Sequence, residues 1–424
     1  MAKNTSIDLR NLVFYQMFIR QFSLTHDFKG AIKKLDQIKS LHADIIQLLP
    51  IHPIGKLNRK GTMGSPYSIS NYYEINPDLG TIRDFQNFLN EAHKRNMKVI
   101  IDIVFNHTSH DAVYSKTHPD WYYHKTDGSF TNRVGDWWDI TDFKFEDNVP
   151  LENELINVLR YWTGFGVDGF RCDVAPLLPL SFWKRARQEL TALNPNLIYV
   201  SESVHLSFIK YLRDLGYEAS SDSEIYRVFD ICYDYDIVDD FYQYFRGKGS
   251  LQKWVDDLMR QESTYPKNYV KLRFIENHDM ERLAKFLTTD AQLRNANALI
   301  FLLKGCPFIY NGQECGLKEK PDLFEIDEID WKDYNKAGIV DIIKQMGNLR
   351  KKLGFVNWVM NVRTLSPDVI EIKYEKEGMT VFGIINLGAK PQLVDIQFAG
   401  LNYLSQQKIE KGLHEVTEPI VLVI

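Results

Sequence analysis

The sequence predicts an eight-stranded β/α barrel with one inserted subdomain after its third strand and a small antiparallel β domain at its C-terminal end. Three observations predict it. Apolar runs of strand length alternate with amphipathic helical stretches as far as Lys352. Four carboxylates, Asp102, Asp173, Glu202 and Asp279, stand at or near the ends of such runs, in KVIIDIVFNH, VDGFRCDVA, LIYVSES and KLRFIENHD. From Phe355 onward the pattern changes to the two-residue alternation of exposed strands. Strands buried on both faces read as continuous apolar runs. Their alternation with helices implies a parallel sheet, and this many repeats imply closure. A closed barrel gathers the C-terminal ends of its strands on one face, where a cleft can be built.

The elements follow in order. Residues 13–20 (VFYQMFIR) read as strand one and residues 30–41 as a helix. Residues 44–51 (DIIQLLPI) form strand two, closed by Pro50 and Pro53. A helix over 82–95 aligns Phe85, Phe88, Leu89 and Ala92 on one face. Strands three, four and five fall at 97–104, 167–172 and 197–201, and strands seven and eight at 270–275 and 307–311. Strand six is the faintest and is placed within 217–222. Helices are expected at 152–163, 180–193, 207–215, 291–303 and 336–352. Residues 105–150 carry no helical pattern and far exceed the ~2–6 residues of an ordinary βα loop. The chain therefore divides into barrel (1–104), inserted subdomain over the strand ends (105–150), barrel again (151–353) and β domain (354–424).

Composition sets outer bounds. With 424 residues, 44% of them apolar and 25% charged, the chain has ample material for a barrel of roughly 250 residues and more besides. A net charge of −5 with interspersed signs points away from nucleic acid and anionic membranes. No apolar run approaches the ~20 residues of a membrane span. The opening MAKNTSIDLRNLVFYQ lacks an apolar signal core, and Cys172, Cys232, Cys306 and Cys315 show no metal-ligand spacing, so a cytoplasmic protein with buried free thiols is expected. Nothing in the sequence bears on oligomeric state.

The chemistry begins at GFRCDVA. Arg171 and Asp173 share one side of a strand, so the guanidinium favours an ionised, positioned carboxylate of the kind a nucleophile needs. Taken alone, the pair reads more readily as a structural ion pair inside a barrel. Glu202 ends the next strand; a second carboxyl beside a charged one is pushed towards its protonated form and can serve as an acid. Adjacent strand ends can supply the ~5–5.5 Å separation of a retaining glycosidase pair. Glu202 could instead simply cap the helix that SESVHLSFIK begins. Asn106 and His107 follow strand three, and Asn277 and His278 precede Asp279, which suits recognition of a hydroxyl-rich ligand. His107, His205 and His278 lack the spacing of a zinc site, so no metal centre is expected. The insertion is rich in aromatic rings, including Trp121, Trp137 and Trp138. Most must form its own core, leaving two or three to cover sugar faces.

Together these segments resemble the α-amylase family of glycoside hydrolases (family 13). DIVFNH, GFRCDVA, the Glu of VSES and ENHD stand in the family's order, and SPYSISNYYEINPDLGT is similar to the loop preceding the first of them. The resemblance implies Asp173 as nucleophile, Glu202 as acid/base and Asp279 as transition-state stabiliser. It implies substrate contacts from Tyr67, His107, Arg171 and His278, with Asp102 supporting Arg171. The implied activity is retaining hydrolysis of α-1,4-glucosidic bonds in maltooligosaccharides or related α-glucans. Transfer to a sugar acceptor is the alternative within enzymes, and a non-catalytic carbohydrate-binding protein the alternative outside them. Pro176 and Leu177 stand where secreted amylases have a Lys-His pair. GFRCDVA and Glu202–His205 are more similar to the cyclomaltodextrinase and neopullulanase branch, though Val204 replaces that branch's Trp. Asn106 and Asp142 occupy positions that bind calcium in some members. Further oxygen ligands are too few, so calcium is not expected and no cofactor is required.

Overall fold

The computed structural model describes residues 4–134 and 136–424. Eight parallel strands close a barrel in which the sheet order follows the chain order. They are β1 (Phe14–Met17), β2 (Ile45–Leu48), β3 (Lys98–Ile103), β6 (Gly169–Cys172), β7 (Ile198–Ser201), β8 (Ile231–Tyr233), β9 (Lys271–Arg273) and β10 (Cys306–Tyr310). Between β3 and β6 the chain makes the short antiparallel pair β4 (His107–Ser109) and β5 (Ile140–Asp142). The barrel strands are buried almost throughout because helices cover their outer faces. Thr81 starts one such helix, Ile82–Lys94, with a reciprocal capping box to Asp84, and the helix buries Phe85, Phe88, Leu89 and Ala92.

Two expectations need correction. Residues 217–222 are not the sixth strand; that strand is Ile231–Tyr233, only three residues long. It escaped notice because Asp230 and Asp234 flank it, which breaks the apolar run. Both acids are spent on partners: Asp230 pairs with Arg187 at 2.7 Å and Asp234 with Arg273 at 2.8 Å. The helices Val238–Phe245 and Leu251–Thr264 that follow were likewise not anticipated. The segment between β3 and β6 also contains a short helix, Val113–Thr117, where no helix was expected.

Beyond the barrel, β11 (Val359–Ser366), β12 (Val369–Lys376) and β13 (Met379–Asn386) form an antiparallel sheet completed by Ile420–Val423. The β12–β13 hairpin turns on Glu377 and Gly378, both at positive φ, as a two-residue turn demands. One face of this sheet (Ile370, Ile372, Tyr374, Val381) joins the barrel's hydrophobic core. Its other face (Val369, Phe382, Ile384) packs on the strands Gln392–Ile396 and Gly412–Val416. All four cysteines are free and buried. Among the described residues, no helix is long and apolar enough to cross a membrane.

Candidate active site

Strand register brings the candidate residues together. Asp102 on β3 lies beside Arg171 on β6, and Cys172 lies beside Ser201 on β7, so Asp173 and Glu202 leave the barrel as neighbours. The backbone extends the ladder one step further: Asp173 N–H donates to the Ile103 carbonyl at 2.9 Å and Glu202 N–H to the Cys172 carbonyl at 3.0 Å. Asp279 and His278 arrive from beyond β9, His107 from β4, and Tyr67 from the loop after β2.

Arg171 is the hub. Its guanidinium, fully buried, donates through Nη1 to both oxygens of Asp102 (2.8 and 2.9 Å) and to Asp173 Oδ1 (2.8 Å). Nη2 lies 2.6 Å from Glu202 Oε1 but is not aimed along a hydrogen bond. Glu202 instead accepts a hydrogen bond from Val174 N–H on Oε2, at 2.8 Å. That amide is aimed there by a backbone seldom seen for a β-branched residue: Val174 has φ 37° and ψ 42°, the left-handed region. Tyr67 Oη donates to Asp102 Oδ2 at 3.1 Å and meets His278 Nε2 at 2.5 Å. His278 Nε2 also lies 3.0 Å from Asp279 Oδ2. The eight residues that the resemblance implies for catalysis or substrate contact fall in one connected cluster or, for His107, on the wall beside it, whereas Asn106 and Asn277 are fully buried and do not line the cleft.

The cluster's charges do not balance, and burial magnifies the imbalance. Asp102, Asp173 and Glu202 surround one guanidinium. Burial raises all three, and the attraction of Arg171 only partly offsets it: Asp102 and Asp173 sit at about 6 and Glu202 at about 7. The guanidinium does favour the ionised form of Asp173, as expected from the sequence, but burial outweighs it. Burial raises Glu202 furthest, so the cluster's retained proton is assigned to Glu202. Asp279 behaves oppositely. Its side chain is 45% accessible in the mouth of the cleft; the protein around it opposes ionisation, but His278 and Arg171 outweigh that and hold it at about 2. Burial holds the His107 imidazole below its ordinary value, with Asp142 and Asp139 opposing.

The cleft above these groups has a volume of about 290 Å³. Trp137 and Ile140 from the insertion form one wall, 5.9 Å separating the Trp137 and His107 rings. Ser65, Asp139 and Val174 also line it, as do Lys60, Leu323 and Phe324, which were not anticipated. Leu323 and Phe324 belong to the long connection after β10, whose position after a barrel strand was the available clue. Lys60 pairs with Asp139 at 2.7 Å and lies over the Trp138 ring at 5.5 Å. Trp121, Tyr122 and Phe143 are buried, Tyr122 packing on Phe143, but they join the barrel's hydrophobic core where a core of the insertion's own was expected. A larger hollow of about 810 Å³ lies by Leu24, Lys33 and Trp331 and contains none of the candidate residues, so size does not identify the site. Among the described residues no three His, Cys, Asp or Glu side chains are grouped to hold a metal.

Comparison with known proteins agrees with this geometry. The family model for the α-amylase catalytic domain matches residues 16–353. The chain belongs to the α-amylase family. It is similar along its whole length to an α-amylase from Lactobacillus plantarum: 38% identity, TM-score 0.93, covering 99% of this chain and 100% of that one. A noncanonic maltogenic α-amylase from Thermotoga neapolitana matches at 33% identity and TM-score 0.87, over 98% and 99% of the two chains. Among curated relatives, an α-1,4-glucan:maltose-1-phosphate maltosyltransferase from Picrophilus torridus is 34% identical over 209 residues, 45% of this chain; the match spans 32% of that protein's own length. Alpha-amylase 3 of Dictyoglomus thermophilum is 27% identical over 369 residues, 77% of this chain and 69% of its own. As a member of this family the protein is an enzyme of the glycoside hydrolase type.

Proposed function

We infer that the protein is a retaining α-glycoside hydrolase cleaving α-1,4-glucosidic bonds of maltooligosaccharides. One observation carries the reading: Asp173 and Glu202 leave adjacent strands and meet the same guanidinium, Asp173 accepting one hydrogen bond from Nη1 at 2.8 Å and Glu202 lying 2.6 Å from Nη2, so that a nucleophile and an acid can stand side by side. Adjacent strand ends suit the ~5–5.5 Å spacing of retaining pairs. Asp173 attacks the anomeric carbon while Glu202 protonates the departing oxygen. Glu202, now a carboxylate, then takes a proton from the water that cleaves the glucosyl-enzyme. Asp279, ionised and facing the cleft, stabilises the developing positive charge on the sugar ring. Tyr67, His107 and His278 bind the sugar being cleaved, Arg171 binds its carboxylate partner, and Asp102 supports Arg171.

The substrate is short. Val174 lines the cleft, while Val204, Pro176 and Leu177 leave the nearby loops without the polar or stacking contacts that hold long chains beyond the scissile bond. Each missing contact is worth roughly 1 kcal/mol or more. Comparing maltotriose through maltoheptaose with soluble starch tests this: kcat/KM per bond should be higher on the oligosaccharides, and faster, random internal cleavage of starch would overturn the assignment. Product release with retained anomeric configuration, and its loss by at least about a thousandfold in Asp173→Asn, tests the mechanism. The similarity to a maltosyltransferase supports a second reading, in which an acceptor sugar or phosphate replaces water; both routes retain configuration, and the appearance of longer oligosaccharides or a glycosyl phosphate in place of free sugars separates the two. Free, buried thiols suit the reducing cytoplasm.

A further inference from the structure

The oxygens that could hold calcium already have a cation. Arg133, from the insertion, donates through Nε to Asp142 Oδ2 at 3.0 Å, through Nη2 to Asn106 Oδ1, and through Nη1 to the Leu177 carbonyl at 3.2 Å. Its backbone N–H adds a second bond to Asp142 Oδ2 at 3.0 Å. The guanidinium carbon lies 5.8 Å from the Tyr123 ring and 5.7 Å from the Tyr217 ring. Its side chain is 8% accessible and that of Asp142 only 1%. Calcium needs about six to eight oxygens at ~2.3–2.6 Å, whereas this place offers three groups, each already accepting from Arg133. A dication beside a buried guanidinium would also add like charge at short range. These residues do not fit calcium.

We propose that Arg133 is a resident cation standing in place of a structural metal, and that it positions the cleft without any divalent ion. What it joins argues for this. Asn106 follows β3 and contacts His107 Nδ1 through Nδ2 at 3.1 Å; Leu177 lies four residues beyond Asp173; Asp142 ends β5, which pairs with His107 across the insertion. One planar fork thus ties the insertion to the two strand-end loops that carry His107 and the candidate nucleophile. Arginine suits the task because its donors are rigidly spaced in a planar fork, and the two nearby tyrosine rings favour the charge. Arg133 is thereby a positioning residue: it acts on a sugar only through His107 and the Trp137 wall.

The test compares melting temperature and kinetics in excess EDTA and in calcium. The wild-type protein should show the same melting temperature and the same kcat/KM on a maltooligosaccharide in both. Arg133→Ala should lose on the order of tenfold or more in kcat/KM, as removal of a buried charged donor implies. The loss should fall chiefly on KM, since Asp173 and Glu202 keep Arg171. Guanidinium ion at sub-denaturing concentration should restore part of the loss, and Arg133→Lys, which keeps the charge on fewer bonds, should lie between the two. A wild-type protein that loses melting temperature in EDTA and regains it with calcium overturns the proposal, and this arm decides even if Arg133→Ala does not fold. So does an Arg133→Ala protein whose melting temperature falls while KM stays unchanged, because that is structure without positioning. The melting arm uses no substrate, so its outcome stands apart from the assignment of the reaction.

Discussion

Three carboxylates around one guanidinium leave a surplus negative charge in a place water hardly reaches, and the surplus sets how this site responds to pH. Glu202 is held at about 7 against an ordinary 4.5, so the folded chain binds that proton more tightly than the unfolded one. Stability from this group is fully present below the ordinary value and is lost as pH rises through about 7. Glu202→Gln, which removes the charge but keeps the shape, should therefore raise the melting temperature by a few degrees at about pH 8, show no gain at about pH 4, and lose activity. A lower melting temperature at the higher pH would refute the surplus. Activity of the wild type should fall above about 7 as the acid deprotonates and below about 6 as Asp173 gains a proton, the two limbs belonging to the cluster rather than to single residues. Val174 supplies a second residue-scale test. In the left-handed region a β-branched side chain costs about 1–2 kcal/mol, a cost glycine escapes and alanine does not. Val174→Gly should be more stable than Val174→Ala, the reverse of the usual order, as measured by denaturant unfolding.

At the scale of elements, the barrel supplies position and the loops supply the walls. Trp137 lines the cleft from the insertion, and Leu323 and Phe324 line it from the connection after β10. Trp137→Ala should raise KM by roughly five- to tenfold with a smaller effect on kcat, since a stacking ring contributes about 1 kcal/mol to holding a sugar and nothing to the proton transfers; an unchanged KM would place the sugar elsewhere. How much could be read in advance varied with element length. The Ile82–Lys94 helix announced its buried face because thirteen residues display several full periods. The sixth barrel strand has three residues, too few to show any period, and its flanking aspartates obscured it. The same holds for the site. Asp173 and Glu202 were legible because a strand precedes each. Lys60 and Phe324 were not, because no local pattern says which way a loop folds.

Over the whole molecule, barrel and C-terminal sheet share one hydrophobic core that runs from Val13 to Val421. Tyr374 Oη donates to the Leu302 carbonyl at 2.8 Å, Asn295 Nδ2 to the Thr417 carbonyl at 2.8 Å, and Gln292 Nε2 to the Leu387 carbonyl at 2.9 Å. With apolar surface and backbone groups satisfied across the join, neither part can leave without exposing the other, so calorimetry should find one unfolding transition; two well-separated transitions would show independent domains. By itself the sequence determined the barrel, the β domain and the carboxylates at its strand ends, because periodicity and strand termini are local properties that neighbouring residues express together. Only the tertiary structure decided that Arg171 serves three carboxylates while hydrogen-bonding two, that Val174 turns its amide onto Glu202, and that Arg133 occupies the oxygens of Asn106 and Asp142. Those outcomes depend on which distant side chains reach the same few ångströms, and buried charge acts through that distance rather than through order along the chain.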